Sequence, residues 1–415
     1  MKSIYKVIAC AAVVAASAGY VAASGTEEPV EWSPTKPFPK QDVYYPGTEE
    51  LKPDEMRVMA CGTGMPQPRL KQAAACFLVE LGNGDKFILD LGAGSYERIS
   101  AMGIPVDQLD KVFLGHLHLD HAGDFPNFWL TRGINAGRSP IRLWGPEGVR
   151  PEWGTKSWIK KTHEAWGWEF ASRGSAVDSR GLKVEVTEFD WKAINKVIYE
   201  ENGVTIRTIP AIHVDQSASF ILEWNGLSLA YSSDTMPYKW WLEHTKGVDL
   251  SIHEAVLPPE MWVEKYSMDP AGAVLAGTQA HTHPAAFGKV MSITKPRRAV
   301  AYHFQNDFDT APVMLSLIRS TYDGPLDLAV DFMVWNVTKD AIRTRMAVPN
   351  HERFPEPAQR PFMASETEPY EWDPLNFEGV EPQTAAIINE ALDKFNKTYG
   401  TDVKPTLTGI PFKKN

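Results

Sequence analysis

The stretch HLHLDHAGD, His116 to Asp124, places three histidines and two carboxylates within nine residues. It follows the apolar run KVFLG, which predicts a β-strand that ends at this point. Side chains alternate along a strand, so His116 and His118 are expected to point to the same side, whereas His121 can reach a second centre only if the chain turns after Asp120. Imidazole nitrogens and carboxylate oxygens are typical zinc ligands, so the pattern predicts two metal sites.

The segments around this motif alternate between strand-like and helix-like patterns. Short apolar runs such as RVMACGTG, ACFLVEL and KFILDL precede it, and Asn83-Gly84 lies between two of them as a hairpin turn. Similar runs recur as far as LAVDFMVW and are interleaved with helix-like stretches. The sequence therefore predicts a layered α/β fold, not a helical bundle.

The motif resembles the signature of the metallo-β-lactamase superfamily, and later motifs resemble its ribonuclease Z and arylsulfatase-like branch. These later motifs are His213 in TIPAIHVDQSASF, Asp234 in AYSSDTMP, His253-Glu254 in SIHEAVL, His281-Thr282 in AHTHP and His303 in AVAYHF. The resemblance spans roughly residues 56 to 348 and includes the loop GTGMPQPR. The chain is also similar to metallo-hydrolases associated with guanitoxin biosynthesis.

The resemblance implies a four-layer αββα sandwich with the metals at the sheet edges. It implies that His116, His118 and His213 hold one zinc ion, that Asp120, His121 and His303 hold the other, and that Asp234 bridges them. Two Zn²⁺ are expected, with Mn²⁺ or Fe as alternatives. One departure is visible, because this branch usually has glycine before the bridging aspartate and here Ser233 occupies that position.

A dinuclear site of this kind implies a hydrolase. Two zinc ions roughly 3.5–4 Å apart lower the pKa of a shared water, which can then attack phosphorus or sulfur. The resemblance gives His281 the role of proton donor to the leaving oxygen, with His283 as a competitor, and Asp120 is expected to take part in catalysis besides binding metal. Glu254 is expected either to orient His281 or to make only a structural hydrogen bond.

The substrate is expected to be a small phosphodiester or sulfate ester. Ribonuclease Z enzymes carry a long tRNA-gripping arm between the residues that match His213 and Asp234, and only twenty residues separate the two here. The formal charge is −10, and −12 without residues 1–24, which contain two lysines and no acidic residue. Such acidity disfavours nucleic acid as a partner, so tRNA processing is disfavoured. A lactonase or β-lactamase is an alternative, and a non-catalytic metal-binding protein would be favoured only if a ligand position were replaced.

Four tryptophans lie in the extra length between His121 and His213. They are Trp153, Trp158, Trp166 and Trp168, in EWGTKSWIKKTHEAWGWEF. In a flap over the metals they would offer aromatic walls to an apolar or aryl group of the substrate. The alternative is that they attach a helix to the body of the protein.

The ends of the chain predict export and an added C-terminal segment. Residues 1–24 have the pattern of a cleaved signal peptide, which implies a periplasmic or secreted protein without a stable membrane anchor. An extended leader is expected at 25–54, the catalytic domain at 55–348, and a Pro-rich extension at 349–415. The extension contains an amphipathic helix at 384–399, capped by Thr384, ended by Gly400 and docked on the body.

Two cysteines, Cys61 and Cys76, remain after removal of the signal peptide. They fall on what look like neighbouring strands. Either a disulfide or two buried free thiols fits this placement. The sequence does not indicate an oligomeric state.

Overall fold

The computed structural model describes residues 42–353, 356–363 and 381–403, together with residues 365, 367, 368, 370, 371, 373 and 375. The expected signal peptide at 1–24 and most of the expected leader, residues 25–41, lie outside the described residues.

The described strands form two sheets. The nine-stranded sheet has the spatial order β1 (Val43–Tyr44), β16 (Ile342–Ala347), β15 (Met333–Val337), β2 (Met56–Gly62), β3 (Cys76–Leu81), β4 (Lys86–Leu89), β5 (Lys111–Phe113), β6 (Ile141–Pro146) and β7 (Val184–Phe189). The seven-stranded sheet has the order β14 (Leu326–Leu328), β13 (Arg298–Tyr302), β12 (Leu250–Glu254), β11 (Leu227–Tyr231), β10 (Ala218–Trp224), β9 (Val204–Pro210) and β8 (Lys196–Glu201).

The described helices lie outside the two sheets or in the C-terminal extension. They are α1 (Tyr96–Ala101), α2 (Leu119–Ala122), α3 (Phe125–Arg132), α4 (Thr155–Ala165), α5 (Gly167–Arg173), α6 (Lys239–His244), α7 (Pro259–Tyr266), α8 (Pro270–Leu275), α9 (Pro284–Thr294), α10 (Ala311–Arg319) and α11 (Pro382–Tyr399). A π-helical turn, Ala276–Ala280, follows α8 directly, and short 3-10 turns lie at Val106–Gln108, Pro151–Trp153, Gly174–Ala176 and Ser179–Leu182.

Two layers of helices enclose the two sheets, which confirms the four-layer αββα sandwich. The inner faces of both sheets share one apolar core, in which the Phe77 ring lies 5.5 Å from Tyr231 and 5.1 Å from Tyr302. A second core packs α1, α3 and α4 on the outer face of the nine-stranded sheet, and a third packs α6–α10 on the other sheet. Replacing a fully buried aromatic residue such as Phe77 by alanine is expected to lower the free energy of unfolding by about 3–5 kcal/mol.

The last residues of the leader join the nine-stranded sheet. Strand β1 pairs in parallel with β16, with Val43 opposite Met346. The Tyr44 side chain is buried, and its hydroxyl accepts a 2.6 Å hydrogen bond from Arg57 Nη1. The leader is therefore a structural part of the sandwich at this point.

The C-terminal helix differs from its expectation in start and in packing. It begins at Pro382 and its N-cap is Glu381, whose carboxylate accepts from the backbone N–H of Gln383 and Thr384, so Thr384 lies inside the first turn. Gly400 ends it with a left-handed φ of +67°, as expected. The expected docking of its apolar face is wrong, since most apolar residues of that face, including Ile387, Ile388 and Phe395, are exposed. Amphipathic periodicity specifies an apolar face but not what covers it.

Cys61 and Cys76 are both buried as free thiols on the neighbouring strands β2 and β3. Burial raises the pKa of the Cys76 thiol well above its ordinary value, so this sulfur is protonated and poorly nucleophilic. Among the helices of the described residues, none combines the length and apolarity needed to cross a membrane.

Candidate metal centre

The ends of strands from both sheets bring seven ligand-type side chains together. His116 and α2 follow β5 of the nine-stranded sheet, while His213, Asp234 and His303 follow β9, β11 and β13 of the seven-stranded sheet. Three sets of four residues each place one ligand atom per residue within 4.8 Å of the others, and all three contain Asp234. Two of them consist of the predicted ligands, and the third consists of Asp234, Glu254, His281 and His303. The structure thus brings every sequence-predicted ligand to one end of the sandwich, where strands of both sheets end.

The outer group consists of His116, His118 and His213. His116 Nε2 lies 3.1 Å from His118 Nδ1, which lies 3.3 Å from His213 Nε2. Asp234 Oδ2 lies 3.8 Å from both His116 Nε2 and His213 Nε2. His118 is exposed and His213 is half-buried, so this group faces solvent.

The inner group consists of Asp120, His121 and His303, all buried. His303 Nε2 lies 3.1 Å from Asp120 Oδ2 and 3.2 Å from Asp234 Oδ1. His121 Nε2 lies 3.0 Å from the same Asp234 Oδ1. The two carboxylate oxygens of Asp234 therefore face different groups.

Unpaired buried atoms in the inner group also indicate that this group suits a metal ion. His121 Nε2 and Asp234 Oδ1 are buried and have no hydrogen-bond partner, although buried polar atoms are normally paired. Burial lowers the pKa of His121, but the carboxylates of Asp234, Asp120 and Asp90 outweigh it and raise that pKa well above its ordinary value. Three carboxylates around one imidazole attract a cation, and nitrogen and oxygen donors of this kind suit zinc.

The outer histidines are held neutral, as metal ligands must be. Burial and then His121 lower the pKa of His116 well below its ordinary value. Burial lowers the pKa of His213 to about 4. The Nδ1–H of His213 donates to the carbonyl of Ala280 at 2.8 Å, which leaves the Nε2 lone pair for a metal.

Asp90 supports the inner group, and sequence reasoning did not single it out. Its Oδ2 accepts from His121 Nδ1 at 2.7 Å and from the Tyr231 hydroxyl at 2.6 Å, while its Oδ1 accepts from the backbone N–H of Gly115 at 2.7 Å. These bonds fix the His121 tautomer so that Nε2 is free. The available signal was an acidic residue directly after the apolar run KFIL, but a lone aspartate in that position is not specific.

Ser233 links Asp90 to the outer group. Its hydroxyl donates to Asp90 Oδ2 at 2.9 Å and lies 3.3 Å from His116 Nδ1. The backbone φ of Ser233 is +49°, which explains the usual preference for glycine before the bridging aspartate. A Cβ on Gly115 would lie 2.3 Å from the Ser233 hydroxyl, so glycine at 115 leaves room for serine at 233.

Two further residues of the centre share this left-handed backbone. Asp90 has a φ of +55° and His303 a φ of +72°. The His303 backbone N–H donates to the Thr63 carbonyl at 2.9 Å, which ties the ligand to the loop after β2. Such conformations cost about 1–3 kcal/mol each for residues with a side chain and persist where the surroundings fix them.

His281 and Glu254 form a hydrogen-bonded pair next to Asp234. His281 Nδ1 lies 3.1 Å from Glu254 Oε1 and 3.8 Å from Asp234 Oδ2. Burial would lower the pKa of His281, but the charge and hydrogen bond of Glu254, with Asp234 behind them, raise it to about 9. Glu254 Oε1 also accepts from the backbone N–H of Thr235. Glu254 is therefore placed both to orient His281 and to brace the Asp234 loop.

The two other histidines near this pair have structural contacts. His283 Nδ1 accepts from the backbone N–H of Ala285 at 3.3 Å and caps α9. His253 is buried, its Nδ1 donates to the Glu254 carbonyl at 2.7 Å, and burial lowers its pKa to about 4. Both are therefore engaged away from the metal ligands.

The structure does not gather the four tryptophans into one wall. Trp158 packs against Phe125 at 5.6 Å under α4, and Trp166 and Trp168 are exposed in the α4–α5 region. Only Trp153 is tied to a ligand loop, because Gln216, three residues after His213, donates to the Trp153 carbonyl at 2.8 Å. Contact of the four rings with substrate stays a prediction, and the Gln216 hydrogen bond makes Trp153 the member of the four that is tied to the centre.

Comparison with known proteins supports the fold and the hydrolase class. A family model described as anti-Pycsar protein Apyc1 matches residues 56–261, which include six of the seven predicted ligands and Glu254 but end before His281 and His303. The ribonuclease Z of Mycolicibacterium gilvum (strain PYR-GCK) is 27% identical over 206 residues, 48% of this chain and 69% of that protein. A ribonuclease Z of Mycobacterium bovis (strain BCG / Pasteur 1173P2) is 27% identical over 208 residues, 48% of this chain and 70% of that protein.

Solved structures show the same architecture. The metallo-β-lactamase fold protein YhfI from Bacillus subtilis superimposes with a TM-score of 0.52 and 16% identity, covering 68% of this chain and 100% of that one. The short form of human tRNase Z superimposes with a TM-score of 0.50 and is 19% identical in sequence, and the match covers 67% of this chain and 98% of that one. The chain is a metallo-β-lactamase-fold metallo-hydrolase.

Proposed function

We propose that the protein hydrolyses small phosphodiesters at a centre in which the outer group and the inner group would each hold one zinc ion, with Asp234 offering one carboxylate oxygen to each group. The observation that carries this is the placement of the two Asp234 oxygens toward different ligand groups, with His281 3.8 Å from one of them. Mn²⁺ and Fe remain alternatives to zinc. Sulfate esters are the alternative substrate class, since the same geometry suits attack at sulfur.

The side chains around the centre divide the chemistry among them. Bound ions would supply an activated water and positive charge for the phosphoryl oxygens. His281 is protonated below a pKa of about 9, and Glu254 occupies its Nδ1, so Nε2 is the atom that gives a proton to the leaving oxygen. Asp90 and Ser233 hold the imidazoles of both groups in the tautomers that metals require.

A small substrate is favoured by what connects the ligands. The twenty residues between His213 and Asp234 are used by the hairpin of β10 and β11, which turns at Asn225-Gly226. This leaves no arm to grip tRNA, and the net charge of −10 disfavours a polyanion. The relatives named ribonuclease Z support a phosphodiester as the bond attacked.

Trp153 lies on a loop that Gln216, three residues after His213, ties to the ligand loop, and we propose its ring as an apolar wall of the site. Its side chain is 51% exposed, and Arg150 lies over its ring at 4.7 Å. Gln216 holds this loop at two points, through the Trp153 carbonyl and the Val149 N–H. An aryl group on the substrate would pack against this ring.

A substrate panel tests the proposal. Zinc-loaded protein is assayed with bis-p-nitrophenyl phosphate, p-nitrophenyl sulfate, a homoserine lactone and nitrocefin, with His116→Ala as the matched inactive control. The expected result is that the diester is hydrolysed fastest and that His116→Ala abolishes this rate. Faster turnover of the lactone or nitrocefin would move the activity to carbonyl chemistry, and equal rates in the control would assign the hydrolysis to a contaminant.

We also propose export to the periplasm or medium, with cleavage near Ala23. The support is the n-region with Lys2 and Lys6 followed by an apolar, alanine-rich run. Intact-mass analysis of protein from the periplasmic fraction is expected to show a chain that starts near Ser24. A mass that retains Met1 would contradict cleavage.

A further inference from the structure

A cavity lies away from the metal centre, at the C-terminal end of α3. Its volume is about 330 Å³, within the range of small-molecule sites. Its walls come from the loop after α3, from the segment around Val177 and from Phe362 of the C-terminal extension. Helix α3 begins directly after the HLHLDHAGD motif and ends at this cavity.

The charge in this cavity is positive and only partly compensated. Arg138 lines it, and among the described residues Arg138 has no carboxylate partner. One guanidinium nitrogen of Arg138 donates to the Arg360 carbonyl, while its Nε is buried without a partner. The Nε is closed off from the cavity, but Nη2 is accessible and makes no hydrogen bond within the described part of the chain, so it is the donor that an anionic ligand would use.

The one acidic side chain of the cavity does not supply that acceptor. Asp178 is bound at both oxygens by Arg180, with Nε to Oδ1 at 2.9 Å and Nη2 to Oδ2 at 2.7 Å, and also accepts from the Met363 N–H at 2.9 Å. The hydrogen bond from Arg180 dominates and lowers the pKa of Asp178 to about 2. Its charge is therefore already paired.

A second arginine and an apolar wall complete the cavity. Arg173 lines it as well and is paired with Glu169 on its own helix, with its side chain 56% exposed. Phe362, Ile134 and Val177 provide aromatic and aliphatic surface, and Arg138 lies over the Phe362 ring at 5.8 Å. Cationic donors beside an apolar wall suit a ligand that has both kinds of group.

We propose that this cavity binds a small amphiphilic anion, a carboxylate or phosphate that carries an aromatic or branched apolar group, with the acid on Arg138 and Arg173 and the apolar part against Phe362. The bound anion links the loop after α3 to the C-terminal extension. The site is separate from the hydrolytic centre and does not depend on the proposed substrate.

Isothermal titration of full-length, metal-loaded protein with 1-naphthoate tests the site. The uncharged 1-naphthalenemethanol and inorganic phosphate serve as probes that each lack one half of the ligand. The expected result is saturable 1:1 binding of naphthoate, with both half-probes weaker by about tenfold or more. Equal binding of naphthoate and 1-naphthalenemethanol would overturn the role of the arginines.

Variants locate the binding. Arg138→Gln is expected to weaken naphthoate by about tenfold or more, Arg173→Gln by less, and Arg207→Gln, an exposed arginine on β9, not at all. Because Arg138 also holds the Arg360 carbonyl, Arg173→Gln and Phe362→Ser are measured as variants that keep this contact. Binding that all three cavity variants leave unchanged, or that is lost in Asp234→Ala, would place naphthoate at the metals and overturn the proposal.

Discussion

The two ligand groups use similar side chains but lie in different surroundings. The outer group faces solvent through His118, whereas every residue of the inner group is buried. Behind the inner group stands Asp90, fixed by a strand-end N–H and a tyrosine hydroxyl. Behind the outer group the comparable contacts are uncharged: the Ser233 hydroxyl beside His116 and the carbonyl of Ala280, on a π-helical turn, beside His213. The inner position is thus built into the core of the sandwich, and we expect it to hold its ion more tightly.

Removing the shared ligand breaks the comparison and has the largest expected effect. Asp234→Ala takes away one oxygen from each group, so neither group keeps its four ligands. We expect elemental analysis to show the loss of at least one ion per chain and activity to fall about 10³-fold or more, as several kcal/mol of charge stabilisation disappear. Two ions retained per chain would show that the groups are independent.

Replacing His281 tests whether this residue gives a proton to the leaving oxygen of the substrate. His281→Ala is expected to keep its metals and to lose about 10²–10⁴-fold on alkyl diesters, whose leaving groups need a proton, but much less on p-nitrophenyl esters. His283→Ala, which removes only the α9 cap, is the matched control and should affect both substrates equally. Equal losses for His281→Ala on both esters would mean that His281 supports the site in another way.

Replacing Asp90, which holds His121, tests whether the inner group binds its ion more tightly than the outer group does. Asp90→Asn removes the charge that orients His121 and is expected to lower metal affinity about 10–100-fold at the inner position only. In the unmodified chain, chelator titration followed by cobalt spectroscopy should show two separate steps, with the outer ion leaving first. The variant should bring the two steps together. Two steps that stay equally far apart would contradict the role assigned to Asp90.

The smallest expected effect is a shift in pH dependence. His281 is protonated below its raised pKa, so the rate on alkyl diesters should be present at low and neutral pH and fall as pH rises through that pKa. Glu254 is the main group raising it, so Glu254→Gln is expected to move this basic limb to lower pH by about one unit or more. Bound cations oppose Asp234 and place the limb of the loaded enzyme below about 9. A limb unmoved by Glu254→Gln would assign it to another group.

The sequence predicted the ligands better than their support. His116, His118, Asp120 and His121 are close in sequence, and the resemblance to a known family selected the later side chains, each of which follows a strand. The structure brings all seven together. Asp90 and Tyr231 act through bonds between residues 141 positions apart, which no local spacing encodes. Their role became visible only when both sheets were in place.

The sequence also did not predict which apolar side chains would be covered by other parts of the protein. The period of apolar residues in α11 specified a helix with an apolar face, but contact with the body depends on long-range packing, and that face is exposed. The four tryptophans likewise lie in one segment of sequence but do not form one surface. Trp158 packs against Phe125 beneath α4, whereas the Trp153 carbonyl accepts a hydrogen bond from Gln216 in the loop after His213. Local composition does not specify which neighbour a ring will meet.

The left-handed backbone at Asp90, Ser233 and His303 determines how the centre can be transferred to another protein. An engineer who copied only the seven ligands onto a regular αββα scaffold would place His303 on a turn of the wrong handedness and would leave out the left-handed turns of Asp90 and Ser233, which support the other imidazoles. The transplant must carry three unfavourable turns and the contacts that hold them, including the Thr63 carbonyl and the space left by Gly115. The transferable unit is therefore a set of strand ends with their loops, and the metal-binding residues alone are too small a part of it.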